Sequence, residues 1–191
     1  MNKTIRMYRH GETEWNKQGI LQGWLDSPLT ELGEKQAMSV QWHPDIVYTS
    51  DLGRAVMTAH LMFPKQSAKL DIRLREINLG NWQGQEIAKL KALPEYRCYC
   101  EQPKAFIPSS QEPFDQVAKR MLLFCESLLH LPYENIAVVS HGVSIACLHA
   151  ALEQRQLGSL WQEELLRGGD YLELECHHQE WRVKKMTLQK I

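Results

Sequence analysis

Two short apolar runs near opposite ends of the chain each lead into a histidine–glycine pair, and this repetition constrains the fold more than any other feature. Ile5-Arg6-Met7-Tyr8 runs into Arg9-His10-Gly11. Ala137-Val138-Val139 runs into Ser140-His141-Gly142, followed by an apolar stretch from Val143 to Leu152. A strand that ends in His-Gly presents an imidazole and free backbone N–H groups at its C-terminal end, the edge at which open α/β sheets bind ligands. Two such strands bring their histidines to one site if they are neighbours in a sheet. Read alone, His141 fits a satisfied buried histidine. Read with His10, it fits half of a shared site, with one ring as nucleophile and the other, protonated, holding anion oxygens.

The block Arg9-His10-Gly11-Glu12-Thr13-Glu14-Trp15-Asn16 adds a guanidinium beside His10, with Thr13 and Asn16 as neutral donors. The set suits phosphate, because an arginine's planar fork matches two phosphate oxygens and stays charged. Phosphoryl transfer asks a protein mainly for positioning and charge stabilisation. The other reading is a surface loop with incidental charges. A nucleophilic imidazole must be neutral, so its second ring nitrogen needs an acceptor such as a backbone carbonyl.

Intervening segments offer further parts. Tyr48-Thr49-Ser50-Asp51-Leu52-Gly53-Arg54-Ala55 reads as strand end, cap and first helical turn, with Ser50 or Asp51 as the cap. Arg54 then lies near a helix N-terminus, where orphan N–H groups favour an anion; by itself it equally fits a solvated helix arginine. In the run from Arg73 to Gly84, Glu76 stands among apolar and glycine positions. Close to a bound phosphate dianion a carboxyl holds its proton more tightly and can donate it. The alternative is an ion pair with Arg73 or Arg75.

These pieces, taken in order, resemble the histidine phosphatase superfamily, in the branch related to cofactor-dependent phosphoglycerate mutase. The resemblance rests on the 9–16 block, Leu21-Gln22-Gly23, Ser27-Pro28-Leu29-Thr30 with Gly33 and Gln36-Ala37, and Ser50-Asp51 with Arg54-Ala55. It continues with Leu74-Arg75-Glu76, Gly80, Trp82 and Gly84, and ends at Ser140-His141-Gly142. It implies that His10 forms a phosphohistidine and that Arg9, Arg54 and His141 bind the phosphoryl group, with Asn16 and the backbone of Gly142 assisting. It also implies that Glu76 protonates the leaving oxygen and then activates water, and that Gln22 and Gly23 border the substrate. No metal or cofactor is expected. Two departures bear on specificity: Ser109-Ser110-Gln111-Glu112-Pro113 stands where relatives often have Gly-Gly-Glu-Ser, with Glu112 in the matching place, and Ala146 stands where many carry an arginine.

The pattern of elements predicts an α/β fold: a three-layer sandwich with a mostly parallel central sheet, helices on both faces, an antiparallel edge strand and a small cap insertion. Expected strands are Thr4–Tyr8, Ile46–Thr49, Ile136–Ser140, Tyr171–Cys176 and Trp181–Leu188. Expected helices are Thr30–Val40, Leu52–Phe63, Gln85–Leu93, Pro113–Leu131 and Val143–Gln154, the fourth carrying the apolar stripe Val117, Met121, Phe124, Leu128 and Leu131. One domain is expected over 1–191, with residues 85–112 as either a cap over the site or a packed surface excursion, too broken by proline for one helix.

Composition narrows the function classes. With 22 Lys and Arg against 23 Asp and Glu, the chain has no charge excess to suggest nucleic acid or an anionic membrane as partner. No apolar run approaches a membrane span, and Met1-Asn2-Lys3-Thr4 leads into a strand without a signal-peptide core, so a cytoplasmic location is expected. Five irregularly spaced cysteines read as reduced thiols. Cys176 and Arg182 have the Cys-x5-Arg spacing of cysteine-dependent phosphatases, but the five residues between lack the glycine that an anion-cradling loop needs. The expected partner is a small phosphorylated metabolite, with a homodimer through the terminal hairpin as an option. Three functions follow: a phosphomonoesterase, for which the resemblance suggests α-ribazole phosphate among other substrates; a phosphoglycerate mutase-type transferase, with Lys89, Lys91, Arg97 or Lys104 for the substrate carboxylate; and a non-catalytic phosphate-binding or interaction module.

Overall fold

The computed structural model describes residues 3–156, 160–161 and 165–187. Strands β1 (Thr4–Arg9), β2 (Ile46–Thr49), β3 (Lys69–Leu70), β4 (Asn135–Ser140), β5 (Tyr171–His177) and β6 (Glu180–Thr187) form one sheet in the order β3-β2-β4-β1-β5-β6. The first four in that order run parallel, while β5 and β6 pair antiparallel. The antiparallel part is therefore two strands wide, with β6 at the edge. The last expected strand residue, Leu188, lies outside the described residues.

The central strands β2 and β4 are nearly continuous apolar runs because both faces of the sheet are covered there, and successive side chains serve opposite layers. Ile5, Met7, Ile46, Ile136 and Val138 pack with Val117, Met121 and Phe124 of α6 (Phe114–Ser127) and with Ile145 and Leu148 of α7 (Gly142–Leu152). Tyr8, Val47, Ala137 and Val139 pack instead with Ala37 of α2 (Glu31–Met38) and with Ala55, Ala59 and Met62 of α3 (Gly53–Met62). Each large side chain so buried contributes about 1.5–3 kcal/mol of transfer free energy.

Topology then places the site. From β1 the chain crosses to β2 on one side; from β4, the neighbour of β1, it crosses through α7 to β5 on the other. The two connections run in opposite directions on opposite faces of the sheet, and a crevice opens at the C-terminal ends of β1 and β4. In the parallel register Arg9 pairs with Ser140, so His10 and His141 emerge side by side.

Several boundaries differ from expectation for identifiable reasons. The helix α6 stops at Ser127, four residues before Leu131, because Pro132 cannot continue the ladder and the Leu131 N–H turns back to the Leu128 carbonyl (3.2 Å). Of Gln85–Leu93 only Ile87–Leu90 (α4) is α-helical. Leu93 precedes a proline and is extended (ψ 126°), and Pro94 opens a new helix, Pro94–Glu101 (α5), instead of breaking one. Residues 85–112 are thus too broken for one helix, as expected, but they hold a second short helix that was not among the expected ones. Its Tyr96 and Tyr99, three apart on one face, join Trp82, Phe106 and Phe114 in the core. A five-residue helix, Glu14–Gln18 (α1), was also not foreseen. Cys176 and Arg182 lie on facing strands of the terminal hairpin, where Cys176 pairs with Trp181 and Glu175 with Arg182, so they form no anion loop.

Two glycines are required by close approach. A Cβ on Gly33, in α2, would lie 2.1 Å from the Glu12 carbonyl oxygen, and one on Gly11 would lie 2.3 Å from the Gly33 oxygen. Both obstacles are backbone, so neither can rotate away. Gly33→Ala is expected to cost about 3 kcal/mol by overpacking. In a chain of this size that lowers the melting temperature by roughly 6–12 °C, and a thermal melt unchanged within a degree or two would contradict it.

Candidate active site

The His10 ring is held by contacts that fix its tautomer. Its backbone N–H donates to the Ser140 carbonyl (3.0 Å), and Nδ1 lies 2.7 Å from the Gly11 carbonyl oxygen, which can only accept. Nδ1 therefore carries the proton, and the lone pair is on Nε2, which receives the Arg54 Nε–H at 3.2 Å. The His141 ring stands 5.1 Å away, centroid to centroid. Burial and the neighbouring Arg54 guanidinium push both imidazoles well below their usual pKa, so both rings are neutral at pH 7. Without an anion, burial and the Arg54, Arg120 and Arg9 guanidiniums oppose a further cation at His141; the protonated ring expected from the sequence belongs to the anion-bound site.

Arg54 sits at the start of α3 and is held on all sides. Its Nη1 donates to the Leu25 carbonyl (2.8 Å) and the Asp26 carboxylate (3.0 Å), and its Nη2 to the Gly23 carbonyl (2.8 Å). Asp26 also accepts the Arg54 backbone N–H at 3.2 Å, so the acid that caps α3 comes from a distant loop. Neither Ser50 nor Asp51 is that cap. The Ser50 hydroxyl accepts from the Leu52 N–H (3.3 Å), and Asp51 forms a two-pronged pair with Arg75 (2.7 and 2.5 Å). Gly23 has φ +55°, and a Cβ there would strike the Gln83 side chain, so glycine permits the turn that aims its carbonyl at Arg54. Arg9 is anchored through Nη1 on the Leu166 carbonyl (2.5 Å). Its Nε, both His141 ring nitrogens and the Gln22 side-chain oxygen are buried without a hydrogen-bond partner among the described residues. Buried polar atoms are rarely left so, and four in one place mark a site for a polar ligand.

Glu76 lies across the crevice at the N-terminus of α7. Its Oε1 accepts from the Ser144 N–H (3.0 Å) and the Ile77 N–H (3.0 Å) and lies 3.2 Å from the Ser144 hydroxyl oxygen, and its Oε2 accepts from the Val143 N–H (3.3 Å). It pairs with neither nearby arginine, since Arg73 is taken by Asp71 and Arg75 by Asp51. A cavity of about 240 Å³ lies between these groups; the fully buried His141 ring is not on its wall and stands behind it against the His10 ring. Arg9, His10, Asn16, Gln22, Gly23, Arg54, Glu76 and Gly142 line the cavity, and its remaining wall is apolar apart from the Tyr99 hydroxyl: Ile20, Leu21, Ile77, Leu79, Ile87, Val143 and Leu165.

Most of the expected site residues thus converge, and two do not. Thr13 is buried as the N-cap of α1: its hydroxyl accepts from the Asn16 N–H, while the Asn16 Oδ1 accepts from the Thr13 N–H. That reciprocal box leaves the Asn16 amide N–H groups as donors for the cavity it lines. The signal was legible, with Thr13 three residues before Asn16 and Gly19 closing the turn at φ +69°. Glu112 does not line the cavity; it is paired with Arg120 (2.8 Å). Pro113 and Ala146 do not line it either, so these departures lie outside the wall that meets a leaving group. Lys89, Lys91, Arg97 and Lys104 are also absent from the wall, and Lys89 is paired with Glu86. Asp26, Arg120 and Leu165 were not foreseen.

Two histidines and two arginines at the switch point of a mostly parallel sheet, facing a carboxylate across a small cavity, define an enzyme site for phosphoryl groups. The model of the histidine phosphatase superfamily (branch 1) matches residues 5–189, and the chain belongs to that family. A glucosyl-3-phosphoglycerate phosphatase of Mycolicibacterium vanbaalenii is 33% identical over 166 residues, covering 78% of this chain and 74% of its own. A probable phosphoglycerate mutase of Proteus mirabilis is 35% identical over 157 residues, covering 75% and 72%. Among solved structures, Bacillus stearothermophilus YhfR superposes with a TM-score of 0.87 at 32% identity, over 95% of each chain. The chain is a phosphatase of this superfamily, acting on phosphomonoesters through a histidine.

Proposed function

We propose that this enzyme hydrolyses the phosphomonoester of a small metabolite in two displacements at His10. In the first, the His10 Nε2 lone pair forms an N–P bond while the ester P–O bond breaks and Glu76 gives its proton to the departing oxygen. In the second, water attacks phosphorus, the P–N bond breaks, and the Glu76 carboxylate takes the proton from that water. Arg9, Arg54, His141, Asn16 and the Gly142 N–H hold the three non-bridging oxygens, and Gln22 and Gly23 border the ester. A bound dianion supplies the negative charge that lets His141 take up a proton.

The observation that carries this reading is the His10 ring itself: Nδ1–H on a carbonyl, Nε2 free of its proton, and an arginine at that nitrogen. Hydrolysis is favoured over mutase chemistry because none of the four basic residues considered for a substrate carboxylate lines the cavity. We read residues 85–112 as a cap, contributing Ile87 and Tyr99 to a wall suited to an alcohol with little charge of its own. The five cysteines are free thiols, which supports a cytoplasmic location, and no described helix is long and apolar enough to cross a membrane. The edge strand β6 carries Arg182, Lys184 and Lys185, and such cations discourage edge-to-edge pairing, so a hairpin dimer is no part of this reading.

The test is phosphate release from a panel of alkyl and aryl phosphomonoesters, with phosphoglycerates included. Wild type is expected to release phosphate, favouring esters of uncharged alcohols, and Glu76→Gln is expected to lose about 10²-fold on alkyl esters. Phosphoryl exchange between glycerate hydroxyls in place of release would establish the mutase instead. No reaction of either kind would leave a binding module.

A further inference from the structure

The Arg120 guanidinium, reaching up from α6, has every one of its five N–H groups engaged behind the site. Nε and Nη2 form a two-pronged pair with the Glu112 carboxylate (2.8 and 3.1 Å). Nη1 donates to the Arg73 and Arg75 carbonyls (both 2.6 Å), and Nη2 also donates to the Glu76 carbonyl (3.1 Å). Three carbonyls within four residues are therefore gathered on one planar cation, and the segment they belong to is the one that presents Glu76. Glu112 completes the clamp by accepting the Asn78 N–H (3.1 Å), two residues beyond Glu76. From the other side the Ser144 hydroxyl donates to the Arg75 carbonyl (2.7 Å) and touches Glu76 Oε1 (3.2 Å).

We infer that Arg120 is a positioning residue whose guanidinium, locked by Glu112 and supported by Ser144, sets the Glu76 carboxyl at the reach of the leaving oxygen. This rests on the reading of Glu76 as the acid of the first displacement. Two single 3₁₀ turns flank Glu76 (Ile72–Leu74 before it, Gly80–Trp82 after), and residues 75–79 between them belong to no helix or strand whose ladder would hold them in place. Arg120 supplies that order, and no other side chain type offers five donors in one plane. The side chain is 16% exposed and Glu112 14%, so water does not readily replace the contacts.

A merely structural arginine and a positioning one are separated by the leaving group. An ester of p-nitrophenol departs as a stable phenolate and needs little protonation, whereas 2-phenylethyl phosphate, of similar size, needs the proton from Glu76. The experiment is single-turnover release of alcohol from both esters by the full chain, which isolates the first displacement, with circular dichroism and a thermal melt of each variant. Arg120→Met is expected to lose about tenfold or more on the alkyl ester, since a small misplacement of a catalytic group is that costly. Its loss on the aryl ester is expected to stay within about threefold, with inhibition by inorganic phosphate unchanged because Arg9, Arg54 and His141 are untouched. Glu112→Gln loosens the lock on Arg120 without touching the Glu76 carboxyl and is expected to show the same selectivity in milder form; it decides the matter if Arg120→Met fails to fold. Equal losses on the two esters, or none, overturn the assignment. Glu76→Gln is the control: selectivity there without selectivity in the Arg120 and Glu112 variants sinks the Arg120 role alone. No selectivity in Glu76→Gln takes down the acid role of Glu76 together with it.

Discussion

His10→Ala is expected to abolish turnover, with a loss of at least roughly 10⁴-fold, because the variant cannot form the covalent intermediate that divides the reaction into two displacements. The second histidine offers no substitute, although its ring lies 5.1 Å away. The proposed nucleophilic role falls to His10 because its Nδ1–H is committed to the Gly11 carbonyl, so the lone pair stays on Nε2 and points at one place. His141 has no partner on either nitrogen among the described residues, so nothing orients a lone pair at phosphorus. The two variants should therefore separate cleanly. Rapid quenching during turnover is expected to trap an acid-labile, base-stable phosphoryl label on wild type. The label should be absent from His10→Ala, while His141→Ala should retain it, formed more slowly and from more weakly bound substrate. A label of wild-type yield on His10→Ala would reverse the roles of the two rings.

That the two histidines meet was legible in the sequence, and the reason is physical. A strand followed by His-Gly has few ways to end, and two parallel strands adjacent in a sheet must end at the same edge. Arg54 and Glu76 were legible as residue types, but their partners were not. Asp26 caps α3 from nearly thirty residues upstream, and Ser50 and Asp51, the local candidates, are engaged elsewhere. A cap supplied by another loop leaves no local pattern. Arg120 is a still stronger case, since one arginine on an amphipathic helix looks like any solvated residue until three carbonyls of another segment are found around it. The proline-broken stretch is, as read, no single helix, but Pro94 also starts a second one, since the first turn of a helix is where a proline costs least. Thr13 was assigned to the ligand although its spacing to Asn16 and Gly19 already described a short capped helix.

Arg54→Met is expected to combine a large loss of rate with a displacement of the pH profile, and the second effect identifies the cause. The guanidinium is one of two cations that, together with burial, hold His10 well below its ordinary pKa. The nucleophile must be neutral, so activity on the acid side falls as pH drops through the His10 pKa of the free enzyme, and kcat/KM reports that limb. With both arginines present the limb lies well below about pH 6.5, the ordinary histidine value. Removing the Arg54 charge lets His10 protonate more readily, so the limb moves to higher pH. Arg54→Lys keeps a charge but loses the fork, and its limb should remain near that of wild type while kcat still falls. The rate loss in Arg54→Met should be roughly 10³-fold, the scale on which an arginine acts on a transferring phosphoryl group. Part of any effect is structural: the Gly23 and Leu25 carbonyls lose their donor, and each buried orphan costs about 1–3 kcal/mol. A melt of each variant therefore accompanies the kinetics. A slow Arg54→Met enzyme whose acid limb stays in place would mean that Arg54 acts on the phosphoryl group alone. A limb that moves to lower pH would contradict the electrostatic account of His10 altogether, because the loss of a neighbouring cation can only make an imidazole easier to protonate.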